Sequence, residues 1–124
     1  ETKEKIFPEL SKSQDIAIYY SNLLCKNGGI ALYLNQRRSV PKILERVVEL
    51  EDRSYDLSNI KQSTDMDELD KLNNLIKAYY GDDYVYTKAC KIGVLPHYSY
   101  LPNGLRIAIE YAFRKEKIKI TNRD

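Results

Sequence analysis

The sequence of 124 residues is poor in the side chains that build metal sites and disulfide scaffolds, with one histidine and two cysteines. Cys25 and Cys90 have neither the density of a disulfide-rich domain nor the spacing of metal ligands, which favours two buried thiols in a reducing compartment. A lone histidine without clustered ligands is poor evidence for a metal site, and neither cysteine has a histidine beside it in sequence to act as its general base. We therefore predict no metal site and no catalytic residue in this chain.

Long apolar runs are also lacking. No stretch approaches the roughly 20 residues of a membrane-spanning helix, and no signal-like segment opens the chain. At 43% hydrophobic and 31% charged, the composition is typical of a globular protein, and its length suits one domain with a core. We predict an intracellular, cytoplasmic protein without a membrane partner. The first residue is Glu1 rather than methionine, which indicates a piece of something longer.

Charge is distributed unevenly, although the net charge is only +2. Residues 35–46 carry four bases and one acid (+3), and residues 102–123 carry six bases and two acids (+4). Residues 47–83 carry ten acids and four bases (−6). Two basic segments that meet on one face would attract an anionic partner, whereas solvated helix surfaces would explain the same pattern. Charge alone leaves both interpretations open.

The first part of the chain predicts a helix, a strand and a second helix. Apolar residues at helical spacing follow Ser13, a candidate cap, and the glycines of residues 27–29 end that helix. The unbroken apolar run of residues 30–34 is typical of a strand buried on both faces of a parallel sheet. The second helix begins with Ser39 as its cap and Pro41 in its first turn.

The middle of the chain is less regular. Residues 53–64 are polar and are interpreted as a loop. Asp65 and Glu68 have the spacing of a capping box, ahead of a helix that Gly81 closes. Residues 84–91 are compatible with a short helix or a strand, and the pattern does not decide between them.

The last part predicts two strands separated by a helix. Residues 94–95 belong to a buried strand, and Pro102 opens the helix. Arg106, Glu110 and Arg114 lie four residues apart on one face of that helix, where their pairing supports it. Its apolar face is formed by Leu105, Ala108, Ile109, Ala112 and Phe113.

Strands separated by helices predict an α/β fold with right-handed crossovers and a mainly parallel sheet. Ile118 and Ile120 begin the final strand, which stops almost at once. A sheet that lacks further strands would leave an unpaired edge beside these residues. Exposed apolar edges recruit partners, so we predict self-association through a free sheet edge, or a chain end folded back over it.

Functional crevices of parallel sheets lie outside the carboxyl ends of the strands. Two polar stretches hold that position: residues 35–39 (NQRRS) after the first strand and residues 97–106 (HYSYLPNGLR) after a later one. Each runs into a helix N-terminus, which offers unpaired N–H groups, a positive dipole end and nearby arginines. Both stretches are therefore predicted phosphate sites.

These stretches carry a resemblance to a known family. Residues 93–120 (GVLPHYSYLPNGLRIAIEYAFRKEKIKI) contain a G-x-x-x-H-H-x-x-L-P-x-x-x-R pattern, in which Tyr98 replaces the second histidine and Ser99 follows it. The matching residues are Gly93, His97, Leu101, Pro102 and Arg106. Together with the strand and basic turn within residues 29–50, this pattern resembles the second RecA-like lobe of a superfamily 2 DEAD/DEAH-type helicase. The resemblance covers residues 13–121.

The resemblance implies a partial RecA-like three-layer sandwich over residues 28–124, preceded by a leading segment and helix in residues 1–27. The chain has no G-x-x-x-x-G-K-S/T loop to bind ATP. In the family this loop and the D-E-x-H/D run that binds magnesium lie on the first RecA-like lobe, which would be a partner of this one. The chain thus looks like a fragment cut near motif V, without a cofactor of its own and inactive alone, whose parent protein uses ATP and Mg²⁺.

The predicted ligand is DNA or RNA, as a single strand held through its phosphates. His97 either holds the turn or helps its amides face a phosphate, and Tyr98 and Tyr100 either stack on bases or pack. The predicted contact residues are Arg37, Arg38, Ser39, His97, Tyr98, Ser99, Asn103 and Arg106.

Two other functions compete with this hypothesis. The first is a non-catalytic protein-interaction module on the same fold, which would use the acidic middle segment as its contact surface. Salt separates it from the helicase hypothesis, because phosphate binding weakens steeply as salt rises. The second, a small-ligand α/β domain, would need a glycine-rich phosphate loop, which the sequence lacks.

Overall fold

The computed structural model describes residues 7–9, 12–33 and 39–123, without the side chains of residues 32–33 and 39–41. No helix within these ranges has the length and apolarity needed to cross a bilayer. The elements in chain order are α1 (Ser13–Leu24), a 3₁₀ turn (Cys25–Asn27), β1 (Ile30–Tyr33), α2 (Ser39–Asp52), α3 (Ser58–Gln62), α4 (Met66–Tyr80), α5 (Val85–Ile92), β2 (Val94–His97), α6 (Asn103–Arg114) and β3 (Ile120–Arg123).

The three strands form one parallel sheet in the order β1-β3-β2. Ile120 of β3 is in register with Ile30 of β1 and with Val94 of β2. At the carboxyl end, Arg123 of β3 lies beside His97 of β2. The predicted α/β fold with a parallel sheet is confirmed. Strands β1 and β2 coincide with the predicted apolar segments, whereas β3 (ITNR) begins at Ile120 rather than Ile118 and is mostly polar.

The predicted free edge beside Ile118 and Ile120 is wrong. Strand β3 is central and pairs on both sides, so the outer strands of the described sheet are β1 and β2. The connection from β1 to β2 skips one strand position, and β3 then inserts into the gap. Both Ile118 and Ile120 are buried, which is what their apolar side chains require.

The helices pack around this central strand. The connection through α2 to α5 crosses the sheet in one direction, and the connection through α6 returns in the other. Helices α2 and α5 pack against each other and against β2, and α6 packs against β2 and α4. The core side chains come from α2, α5, the strands and α6, and include Leu44, Leu95, Leu105 and Ile109, all fully buried.

Local signals in the sequence mark several helix ends correctly. Asp65 caps α4 by accepting a hydrogen bond from the Glu68 N–H at 3.0 Å, and Gly81 ends that helix at a φ of 86°. Pro102 precedes α6 as predicted. Helix α2 begins at Ser39, whose side chain lies outside the described part of the structure.

Two details differ from the predictions, and one open alternative is resolved. Ser13 is the first residue of α1 rather than its cap, and Lys12 in the cap position makes no side-chain cap bond. The supposed loop at residues 53–64 contains α3, which packs its buried Ile60 into the core. The undecided segment after Tyr84 is the helix α5, because its buried positions recur at helical rather than alternating spacing.

A buried ion pair ties α1 to α2. Arg46 Nε donates to Asp15 Oδ1 at 2.8 Å, and Arg46 Nη2 donates to Asp15 Oδ2 at 2.9 Å. The Glu9 N–H also donates to Asp15 Oδ2, at 3.0 Å. Asp15 is 1% exposed, whereas Arg46 reaches toward the surface and also donates to Glu49 at 3.1 Å. The carboxylate is therefore buried with charge-assisted hydrogen bonds to both of its oxygens.

Candidate functional site

A tight turn at Gly93 leads from α5 into β2. Gly93 has a φ of 112°, and a Cβ there would lie 2.7 Å from Thr64 Oγ1 and 3.2 Å from Ile60 Cγ2. Only glycine combines this backbone conformation with such a close approach. The following residues, Val94 and Leu95, are fully buried and fix the strand, so that His97 ends it at the carboxyl edge of the sheet.

The chain then turns directly into α6. The Leu101 N–H donates to Tyr98 O at 3.2 Å, and the Leu101 side chain is buried. Pro102 holds the cap position of α6 with no side-chain hydrogen bond to the helix. The first N–H groups of α6 are therefore not capped by that residue.

An open cleft of about 470 Å³ lies at this edge of the sheet. It is formed by the end of β2, one face of α6 and the end of β3. Its lining residues are His97, Arg106, Ile107, Glu110, Tyr111, Arg114 and Arg123. Three guanidinium groups and one carboxylate give the cleft a charge of +2 when His97 is neutral.

Arg123 is the most restrained of these arginines. Its Nε donates to Thr121 Oγ1 at 2.9 Å, and its Nη2 donates to Glu110 Oε1 at 3.0 Å. The guanidinium also lies over the Phe113 ring, 4.9 Å from its centroid. Its side chain is 13% exposed, so β3 presents a fixed, nearly buried cation to the cleft.

Glu110 lies between the cationic groups. Besides the bond from Arg123, it accepts a hydrogen bond at Oε2 from Arg114 Nε at 2.8 Å, and its Oε1 lies 3.3 Å from His97 Nε2. Partial burial tends to raise the pKa of this carboxyl group, but the hydrogen bonds and charges of Arg114 and Arg123 outweigh it and lower the pKa. Glu110 is therefore ionised at neutral pH.

The contacts of His97 define its tautomer. Arg123 Nη1 lies 3.3 Å from His97 Nδ1. A guanidinium only donates, so Nδ1 is the acceptor, and the proton of the neutral ring is on Nε2, which faces Glu110. Burial lowers the pKa of His97, and the charge of Arg123 lowers it further, against an opposing effect of Glu110.

The imidazole of His97 is expected to titrate below its ordinary pKa of 6.5. The unfolded chain would take up this proton at a higher pH than the folded chain. Stability from this group is thus present above about pH 6.5 and is lost as the pH falls through the folded pKa. NMR titration of the only histidine in the chain measures this value directly, with the urea-unfolded protein as the control. A folded pKa at or above the unfolded one would contradict the described contacts.

Arg106 enters the same cleft from the first turn of α6. Its Nη2 donates to Asn103 Oδ1 at 2.7 Å, which orients the guanidinium along the helix start. Its Nε is buried and has no hydrogen-bond partner among the described residues. Buried donors are normally paired, so this atom is an exception.

The predicted site residues are found in three different settings. His97 and Arg106 line the cleft, and Asn103 is bonded to Arg106. Tyr98 points elsewhere: its hydroxyl bonds to Tyr86 Oη at 2.9 Å, next to the packed rings of Tyr80 and Tyr84. The exposed residues in the turn are Ser99 and Tyr100. Arg37 and Arg38 lie outside the described residues, as does the side chain of Ser39.

Three charged residues of the cleft were not predicted to belong to it. Their spacing predicted that Glu110 and Arg114 pair on the surface of α6, and they do pair. The spacing did not indicate that they line a cleft. Arg123 had no signal, because its place depends on the order of the strands. Among the residues that the structure describes, no cluster of histidine, cysteine, aspartate or glutamate is placed to hold a metal ion.

A second, smaller cleft of about 270 Å³ has the opposite charge. It lies between α2 and the beginning of α5. Its lining residues are Glu45, Val48, Glu49, Asp52, Asp83, Val85 and Lys88. Four carboxylates against one lysine make it the acidic counterpart of the cleft at the sheet edge.

Comparison with known proteins does not assign the chain to a family. No protein-family model matches the chain, and no curated protein is significantly similar to it in sequence.

Proposed function

We propose that the chain contacts the phosphates of single-stranded DNA or RNA, as part of the second motor lobe of an ATP-dependent superfamily 2 helicase. The observation that carries this proposal is the cleft in which Arg106, Arg114 and Arg123 surround His97 at the carboxyl edge of the sheet. Ligand sites of open parallel sheets lie at this edge. The resemblance of residues 93–120 to the helicase lobe supports the same location.

The chemistry of the cleft suits phosphate. Guanidinium groups bind phosphate oxygens through paired N–H donors, and three of them converge here. The buried Nε of Arg106 provides a donor without an internal partner. The cleft is open, so a continuous strand can pass along it.

In the proposed motor, this lobe binds the nucleic-acid strand and does not itself hydrolyse ATP. ATP and Mg²⁺ would bind mainly to the first RecA-like lobe of the parent protein. Changes there would move the two lobes relative to each other, and phosphate contacts in this cleft would hold the strand between steps. Phosphate contacts position a strand without reading its sequence, so the binding should be independent of sequence.

Replacing Arg106 with alanine is expected to weaken binding of a single-stranded oligonucleotide by about 1 to 2 kcal/mol, the contribution of one charge-assisted contact. The slope of log K against log salt should fall by about one unit. Fluorescence anisotropy at low salt, with oligonucleotides of unrelated sequence, measures both quantities. The loss should be similar for each sequence.

The control is Arg53→Ala. Arg53 is also a partly exposed arginine, but it is bonded to Glu49 at 3.0 Å in the acidic part of the chain. We expect this substitution to change binding little. Equal losses for Arg53→Ala and Arg106→Ala, or wild-type binding that does not depend on salt, would refute the phosphate site.

The acidic cleft favours one alternative, a protein-interaction module that binds a basic segment of a partner. Its four carboxylates would attract such a segment electrostatically. The two functions predict opposite ligand charges. A chain that binds a lysine-rich peptide but no oligonucleotide would support the alternative.

A further inference from the structure

The carboxylate of Glu110 already holds the position that an incoming phosphate would take. Glu110 Oε1 accepts a hydrogen bond from Arg123 Nη2 at 3.0 Å, and Oε2 accepts one from Arg114 Nε at 2.8 Å. Oε1 also lies 3.3 Å from His97 Nε2. These are the donors that an oxyanion needs. Glu110 is therefore an internal anion within the cleft.

The side chains of the two arginines that bind Glu110 are restrained to different degrees. Arg123 is fixed by Thr121, His97 and the Phe113 ring, so its Nη2 stays in place whether or not Glu110 does. Arg114 is 76% exposed and can move with a new ligand. Glu110 itself is partly exposed, so its side chain can rotate out of the cleft without breaking the core.

We propose that Glu110 makes the cleft selective for polyanionic strands by competing with single phosphates for Arg114 and Arg123. This inference rests on the proposed function, since it concerns the ligand of the same cleft. A tethered carboxylate competes at an effective concentration that is millimolar or higher. An isolated phosphate gains little by replacing it, because one anion is exchanged for another.

A nucleic-acid strand competes on better terms. Its neighbouring phosphates contact Arg106 while one phosphate displaces Glu110. These additional contacts make the exchange favourable for a strand and not for free phosphate. Glu110 is thus a specificity-determining residue: it lowers the affinity for every anion and excludes the small ones.

The test compares the wild-type protein with Glu110→Gln, which keeps the shape of the side chain and removes its charge. Inorganic phosphate is titrated at low ionic strength, and binding is followed by the NMR signals of His97, the only histidine. Half-saturation is expected at a phosphate concentration about tenfold or more below that of the wild type. Binding of oligo-dT should also tighten, by a smaller factor, because only one of its contacts is affected.

The matched control is Glu116→Gln, which removes the same charge from an exposed residue outside the cleft, bonded to Lys119 at 3.2 Å. It should titrate like the wild type. Equal phosphate affinities for wild type and Glu110→Gln, or an equal gain for Glu116→Gln, would overturn the role of Glu110. If Glu110→Gln binds phosphate more tightly but neither protein binds oligo-dT, the competition of Glu110 with phosphate holds, whereas the proposed nucleic-acid contact and the selectivity for strands are wrong.

Discussion

Replacing Asp15 with asparagine is expected to lower the free energy of unfolding by about 3 kcal/mol at pH 7, because the donors of Arg46 and Glu9 would lose their buried, charged acceptor. Asp15 is 1% exposed and receives two hydrogen bonds from Arg46 and one from the Glu9 N–H. Aspartate offers these donors two acceptor oxygens. Asparagine offers only one, so at least one donor would face its NH₂ group instead. Urea denaturation followed by circular dichroism measures the loss.

The control is Glu51→Gln. Glu51 and Lys61 form an even shorter ion pair, at 2.6 Å, but their side chains are 35% and 45% exposed. Exposed pairs contribute about 0 to 1 kcal/mol, so burial rather than distance should decide the result. If the two substitutions cost the same, the ion pair at Asp15 does not stabilise the contact between α1 and α2 as described.

The effect of Asp15→Asn on the free energy of unfolding should depend on pH. Burial tends to raise the pKa of Asp15, but the hydrogen bonds from Arg46 and Glu9, with the charge of Arg46, lower it below its ordinary value of 3.8. A lowered carboxyl pKa gives stability that is present above the unfolded pKa and is lost as the pH falls through the folded one. The difference between wild type and Asp15→Asn should therefore shrink below about pH 4.

Replacing Gly93 with alanine is expected to lower the free energy of unfolding by about 3 kcal/mol. A left-handed backbone costs an alanine about 1 to 2 kcal/mol, and overpacking a core adds about 1 to 3. The new Cβ would displace Thr64, whose hydroxyl donates to Ile60 O at 2.9 Å. Thermal and urea denaturation measure the effect.

Gly104→Ala is the matched control. Gly104 lies in the first turn of α6, and the nearest atom to its Cβ position is Tyr79 Oη at 4.0 Å. Alanine has the higher helix propensity, so this substitution should be neutral or stabilise by up to about 1 kcal/mol. Equal destabilisation by both substitutions would mean that the turn at Gly93 is not as constrained as its geometry indicates.

Local patterns in the sequence were sufficient for most of the fold. The apolar runs at residues 30–33 and 94–95 became strands because unbroken apolar runs suit both faces of a buried sheet. Helix α4 begins and ends at its predicted cap and glycine. Helix α3 was missed because it has five residues and buries Ile60 with little other apolar signal. Residues 84–91 remained ambiguous because a short apolar segment fits both periods.

The site was only half predictable for a related reason. His97 and Arg106 follow from a strand end and a helix start, which are local features. Arg123 reaches them because β3 lies next to β2, and strand order is set by the packing of the whole domain. The contact of Glu110 with His97 likewise crosses from helix to strand. Sequence spacing shows which residues share a helix face, but not which strand end that face meets.

The central position of β3 also sets constraints on folding kinetics. In the described sheet, β1 and β2 do not touch, and each pairs only with a strand that comes after both of them in the chain. The pairing of β1 with β3 brings together Ile30 and Ile120, which lie far apart in sequence. Non-local pairings of this kind slow folding. A ribosome-bound chain would thus carry two unpaired apolar strands until β3 emerges. During that interval the helices of α2 to α5 must shield them, or chaperones must do so.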